Sequence, residues 1–160
     1  MRRESLTINY AIAQNASECS MSERALLQAA DRASKNSHAP YSKFRVGAAL
    51  LLEDSSVIEG SNQENVSFPV GLCAERTALA AKASIAPKKK IVAIAIRVKS
   101  ELRKINEPGT PCGICRQVLL EQENIQKSNI KVIMQGETGH ILIFNSVKDL
   151  MPFYFNGNIL

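Results

Sequence analysis

Aromatic side chains are scarce: three tyrosines, five phenylalanines and no tryptophan among 160 residues. So few cannot lay down the succession of stacking platforms that unpaired nucleic-acid bases require. Long apolar runs are also missing, which excludes a membrane-spanning helix. Arg2-Arg3 are followed by Glu4 and then by Leu6, Ile8, Tyr10 and Ile12 interleaved with polar or small residues, not by the continuous apolar core of a secretory signal. A cytoplasmic protein is expected. Cysteine is limited to four, and without a secretion signal these read as metal ligands or free thiols rather than a disulfide framework. There is no glycine-rich phosphate loop, no nucleophile-elbow serine motif, no internal repeat and no low-complexity tract. The net charge of +5 is moderate. Its densest run, Lys88-Lys89-Lys90, stands just before an apolar strand pattern and reads as a solvated turn, not a nucleic-acid patch.

What is there suits one domain, with ordinary globular values of 45% hydrophobic and 22% charged residues. Residues 1–19 read as an extension, either a short edge strand or a docking tail, and residues 20–160 as a single domain. Ser20-Met21-Ser22-Glu23 has the form of a capping box, and the apolar spacing behind it predicts a helix from about Met21 to Ser34. Pro40 ends any helical continuation and opens a loop. Val46–Leu52 and Val57–Gly60, separated by a polar turn, predict a hairpin. Cys73–Ser84 predicts a second helix and Ile91–Val98 a third, buried strand. Thr110 as N-cap with Pro111 at the first helical position predicts a third helix running towards Glu123. Ile130–Met134 and Ile141–Phe144 read as short strands, and Val147–Met151 as a last helical turn. Helices alternating with strands in the middle of the chain predict an α/β fold, a mixed sheet with helices packed on it.

Two stretches carry the chemistry: Leu72-Cys73-Ala74-Glu75-Arg76 and Thr110-Pro111-Cys112-Gly113-Ile114-Cys115-Arg116-Gln117. Cys112 and Cys115 are three apart, a spacing that lets both sulfurs reach one ion from one helical face. Cys73 and Cys112 fall at predicted helix starts, where unpaired N–H groups and the macrodipole favour thiolate. Three thiolates describe a catalytic zinc, because a structural site normally takes four protein ligands and a catalytic one keeps a position for water or substrate. Glu75 lies two residues from Cys73, off its face, and so is placed beside the open position as proton carrier. Arg76, three residues from Cys73, returns to its face and offsets the net −1 that three thiolates leave on Zn²⁺. His38 and His140 have no partners at ligand spacing. Two other readings of the cysteines stay open: a structural zinc closed by Cys19, and a redox pair at Cys112 and Cys115.

Cys73-Ala74-Glu75-Arg76 with Pro111-Cys112-Gly113-Ile114-Cys115-Arg116-Gln117 resembles the zinc-deaminase signature, with Cys where many members have His. With Tyr41-Ser42-Lys43-Phe44-Arg45-Val46-Gly47-Ala48-Ala49, Asn62-Gln63-Glu64-Asn65 and Leu150-Met151-Pro152-Phe153-Tyr154-Phe155, the chain resembles the homotetrameric cytidine deaminases over residues from about Met21 to Phe155. That resemblance implies a three-layer fold with a mixed five-stranded sheet flanked by helices, one zinc per chain, and active sites completed by neighbouring subunits of a homotetramer. It implies cytidine and 2′-deoxycytidine as substrates, in pyrimidine salvage. It also implies roles by motif position: Phe44 against the pyrimidine ring, Asn62 and Glu64 on the ribose hydroxyl, the Ala74 N–H on the base carbonyl, Phe155 reaching the base from a neighbouring subunit, and Gln117 supporting the zinc sulfurs. Glu75 would move the protons of the reaction. Phe68 stands where the family usually has tyrosine, and Gln63 where it usually has an apolar residue. A relative acting on a modified cytosine nucleoside, such as blasticidin S, is the neighbouring alternative.

Overall fold

The computed structural model describes residues 1–157. Its elements are β1 (Ala11–Ala13), α1 (Met21–Ser34), β2 (Phe44–Leu52), β3 (Val57–Ser61), α2 (Ala74–Ile85), β4 (Ile91–Ser100), α3 (Gly113–Gln126), β5 (Lys131–Gln135) and β6 (Ile141–Phe144), with 3-10 turns at Ala16–Glu18, Phe68–Val70 and Val147–Leu150. The strands form one mixed sheet in the order β1-β6-β5-β4-β2-β3. Strand alternation divides the core into two layers. Ala48, Leu50, Ile94, Ile96, Val132 and Met134 face α2 and α3, whose Ala74, Ala78, Leu119 and Leu120 complete that cluster. Ala49, Ala93, Ala95 and Ile133 face the other way, against Leu26, Leu27, Ala29 and Ala30 of α1.

α1 begins as its sequence dictates. The Ser20 side chain accepts from the Glu23 N–H, the Glu23 carboxylate accepts from the Ser20 N–H, and the box is closed, worth about 1 kcal/mol. Two glycines bring the helices close to the sheet. A Cβ at Gly47 of β2 would lie 1.9 Å from the Ala30 carbonyl of α1, and one at Gly60 of β3 would lie 2.4 Å from the Ala78 nitrogen of α2. Only a residue without a side chain fits either position.

The sixth strand departs from the five implied by the family resemblance. Ala11–Ala13 pairs antiparallel with Ile141–Ile143, Tyr10 stacks on Phe144 with ring centroids 5.2 Å apart, and Ala13 and Cys19 are buried. The alternation of Leu6, Ile8, Tyr10 and Ile12 could not choose between edge strand and tail, because the open edge of β6 that captures β1 lies some 130 residues further along. α3 also starts later than its cap signals suggest: Cys112, not Thr110, is the N-cap. The Lys88–Lys90 run is an exposed turn in which the Lys89 ammonium meets the Asp54 carboxylate and the Lys90 N–H donates to Glu53 Oε1 at 3.1 Å.

Topology explains why the site forms where it does. β3 and β4 both run antiparallel to β2, so they run parallel to each other and end on the same side of the sheet. The chain leaves both strands there, and α2 and α3 each start from that side. Residues from the ends of parallel strands and the helices that follow them thus converge at one rim, the usual place for a ligand crevice in α/β sheets.

Candidate active site

At that rim the Sγ atoms of Cys73, Cys112 and Cys115 lie within 4.8 Å of one another. Cys73 Sγ is 3.9 Å from Cys112 Sγ, and Cys112 Sγ is 3.5 Å from Cys115 Sγ. A tetrahedral zinc with Zn–S near 2.3 Å separates its sulfurs by about 3.8 Å, so the three sulfurs fit the ion. No fourth His, Cys, Asp or Glu joins them among the described residues. Cys19 belongs to the core layer beneath α1, on the opposite face of the sheet from α2 and α3. The closed four-thiolate site is therefore ruled out, and Cys19→Ser is expected to leave zinc at one per chain by metal analysis, with stability changed by roughly 1 kcal/mol at most.

Cys73 and Cys112 are the N-cap residues of α2 and α3, so each sulfur sits where a helix presents its unpaired N–H groups. Cys115 lies one turn into α3 and is fully buried. Its hydrogen bond to Cys73 pushes the Cys73 thiol down, helped by Cys112 and by the Arg76 guanidinium, against the cost of burial. The same hydrogen bond, with burial, pushes Cys115 up. Arg76 thus acts on Cys73, as the spacing predicts. It also donates from Nη2 to the Gly71 carbonyl at 2.7 Å, and its buried Nε has no hydrogen-bond partner among the described residues.

Glu75 is 4% exposed. Burial is the chief reason its carboxyl is pushed up from the ordinary carboxylate range, and the neighbouring Cys73 thiolate adds to it. A carboxyl lifted in this way exchanges protons more readily near neutrality than an exposed one.

These groups open onto a cleft of about 850 Å³ lined by Tyr41, Phe44, Asn62, Glu64, Phe68, Cys73, Glu75, Val98 and Cys112, among others. Phe44, the first residue of β2, stands in its wall. Asn62 follows β3, and its side-chain amide behaves like another rung of the sheet: Oδ1 accepts from the Val46 N–H at 2.8 Å and Nδ2 donates to the Phe44 carbonyl at 2.9 Å. One lone pair and one N–H of that amide are left for other partners. Asn62 therefore sets the position of Phe44, a contact invisible in the spacing of Asn62 and Glu64. Glu64 Oε2 accepts from the N–H groups of Tyr41 and Ser42 at 2.9 and 3.3 Å, which with the Ser42 hydroxyl hold its carboxyl below the usual range. Ala74 is the first residue of α2 and is wholly buried. The Gln63 amide donates to the Ser61 hydroxyl at 3.1 Å. Phe68 meets Tyr41 edge-on at 5.7 Å, and both are exposed at the rim.

Gln117 and Phe155 are in contact with each other. The Gln117 amide donates to the Phe155 carbonyl at 3.1 Å, so its hydrogen bond goes to the C-terminal segment rather than to sulfur. Phe155 is 58% exposed in the single chain. Arg116, which the spacing gave no task, donates to the carbonyls of Pro111 and Leu150.

Comparison with known proteins agrees with this geometry. The zinc-binding region of cytidine and deoxycytidylate deaminases matches residues 20–132. The chain is 39% identical over 137 residues to the cytidine deaminase of Halalkalibacterium halodurans, covering 86% of this chain and 96% of that one. Its fold is similar to the crystal structure of cytidine deaminase from Burkholderia pseudomallei (TM-score 0.71, 37% identity, 82% of this chain and 97% of that one). It is also similar to that from Mycobacterium tuberculosis (TM-score 0.64, 31% identity, 82% and 95%).

Proposed function

The chain belongs to the cytidine and deoxycytidylate deaminase family, and on that premise we propose that it hydrolyses cytidine and 2′-deoxycytidine to uridine and 2′-deoxyuridine with release of ammonia. The observation that carries this reading is the three-sulfur cluster beside the buried Glu75, at the base of a cleft whose wall holds Phe44, Asn62 and Glu64.

Cys73, Cys112 and Cys115 hold one zinc per chain, and zinc in such a site lowers the pKa of water and so supplies a nucleophile at neutral pH. Glu75 takes the proton from the attacking water and delivers it to N3 of the cytosine ring as the C4–O bond forms. It then takes the proton of the new C4 hydroxyl and gives it to the departing amine as the C4–N bond breaks, so that water enters, ammonia leaves, C4 becomes a carbonyl and the carboxylate is restored. Burial serves this shuttle, because a carboxyl already pushed up accepts the proton at little cost. Arg76 steadies Cys73. The Ala74 N–H, one of the unpaired donors at the start of α2, suits the base carbonyl.

Phe44 packs on the pyrimidine ring, while Asn62 and Glu64 bind the ribose hydroxyl, Asn62 with its remaining donor and acceptor. Phe155 reaches the base of a neighbouring subunit in a homotetramer. The exposed apolar residues Val66, Phe68 and Val70 beside the cleft, and Phe153 and Phe155 beyond it, support burial of this rim against other copies of the chain. Residues 20–160 form the deaminase domain and residues 1–19 an extension to it. The place of action is the cytoplasm, in pyrimidine salvage, and no helix among the described residues is long and apolar enough to cross a membrane.

The test is ammonia release from cytidine, deoxycytidine and free cytosine, measured beside zinc per chain and mass in solution. Release from both nucleosides but not from the free base, with one zinc per chain, is the expected result. One zinc without release from either nucleoside would overturn the substrate assignment in favour of a modified nucleoside.

A further inference from the structure

Arg116 has no part in the chemistry above, yet its side chain is committed in two directions. Nε donates to the Pro111 carbonyl at 2.8 Å, and Nη1 donates to the Leu150 carbonyl at 2.7 Å. The first bond reaches back five residues, past the N-cap Cys112, while the Arg116 backbone N–H holds the Cys112 carbonyl at 2.9 Å. α2 has the same device: Arg76 reaches back five residues past its N-cap Cys73 to Gly71. Each metal-bearing turn is thus braced by an arginine.

Among the described residues the second bond of Arg116 has no counterpart in α2. It crosses 34 residues to the end of the Val147–Leu150 turn, and the next residue, Gln117, donates to the Phe155 carbonyl. Consecutive side chains in the first turns of α3 therefore hold both ends of the Leu150–Phe155 segment.

We propose that Arg116 is a positioning residue that ties the Cys112 metal turn to the C-terminal segment, so that one guanidinium sets both the hold on zinc and the placement of Phe155. This rests on the deaminase reading, in which Phe155 completes a neighbouring site. A guanidinium can serve two carbonyls at once because its planar fork projects donors along separate directions. The compact ammonium of lysine keeps the charge but cannot reproduce that fork.

The experiment is a cycle of Arg116→Lys, Phe155→Ala and the double variant in the full-length, zinc-loaded protein. Zinc transfer to a chromogenic chelator is followed beside steady-state kinetics with cytidine. Arg116→Lys is expected to speed zinc transfer about tenfold, the lower end of what loss of a partner behind a metal ligand costs. It should also raise KM by a similar factor with kcat nearly unchanged. Phe155→Ala should raise KM and leave zinc transfer alone. The double variant should show a KM close to that of the worse single variant, since both act through one segment.

Arg116→Lys behaving as the unaltered protein, with only Arg116→Gln impaired, would make charge rather than the fork responsible and overturn the proposal. KM effects that multiply in the double variant would overturn it as well. Should the unaltered protein release no ammonia from cytidine, the deaminase reading fails separately. The zinc-transfer arm then still decides, and unchanged transfer in Arg116→Lys refutes the brace.

Discussion

Glu75→Gln is expected to retain one zinc per chain and to lose roughly a thousandfold or more in turnover of cytidine, within the upper range for general acid–base catalysis. Glu75 is not among the three sulfur ligands, so its replacement leaves the hold on the metal intact. The amide has the same shape but can neither take a proton from water nor return one to the ring or the amine. A further signature separates lost chemistry from lost structure. Burial pushes the Glu75 carboxyl up, which means that its ionised form is disfavoured in the folded protein. Removing that buried charge should leave the unfolding temperature at or above that of the unaltered protein. Metal analysis, ammonia release and thermal unfolding on one preparation check all three points, and appreciable activity in the Gln variant would sink the assignment of Glu75.

Cys115→Ala is expected to do the reverse and abolish activity through the metal. Cys115 is fully buried one turn into α3, 3.5 Å from Cys112, and with it gone only two sulfurs remain. Metal binding and folding are coupled, and a site reduced from three ligands to two should retain less than about a tenth of a zinc per chain after dialysis. The unaltered protein should gain thermal stability with added zinc, because an ion that binds only the folded state shifts the equilibrium towards it. In Cys115→Ala that response should vanish. A variant that still held one zinc and still melted higher with added metal would show that another group closes the site.

Much of this arrangement was legible along the chain because it is local. The capping box at Ser20 and Glu23, the one-face spacing of Cys112 and Cys115, and the offset of Glu75 from Cys73 all span a single helical turn, within which helix geometry leaves little choice. The five core strands announced themselves as apolar runs between polar turns. The start of α3 was misplaced by cap residues that are good but not decisive: Thr110 and Pro111 carry the right chemistry, yet the chain stays extended until Cys112.

What the chain could not disclose depends on partners distant in sequence. The capture of β1 by the edge of β6, the Asn62 amide standing in as a rung beside Phe44, and the reach of Arg116 to Leu150 each join residues between 16 and about 130 positions apart. By itself the sequence determined the three-cysteine cluster, the carboxylate set beside it and the class of fold, because those follow from residue type and short-range periodicity. Only the tertiary structure decided that Cys19 lies on the far side of the sheet from the metal. It also decided that β3 and β4 end on one side, bringing Cys73, Glu75, Cys112 and Cys115 to a single rim, because strand direction is set by pairing across the sheet and not by any local signal.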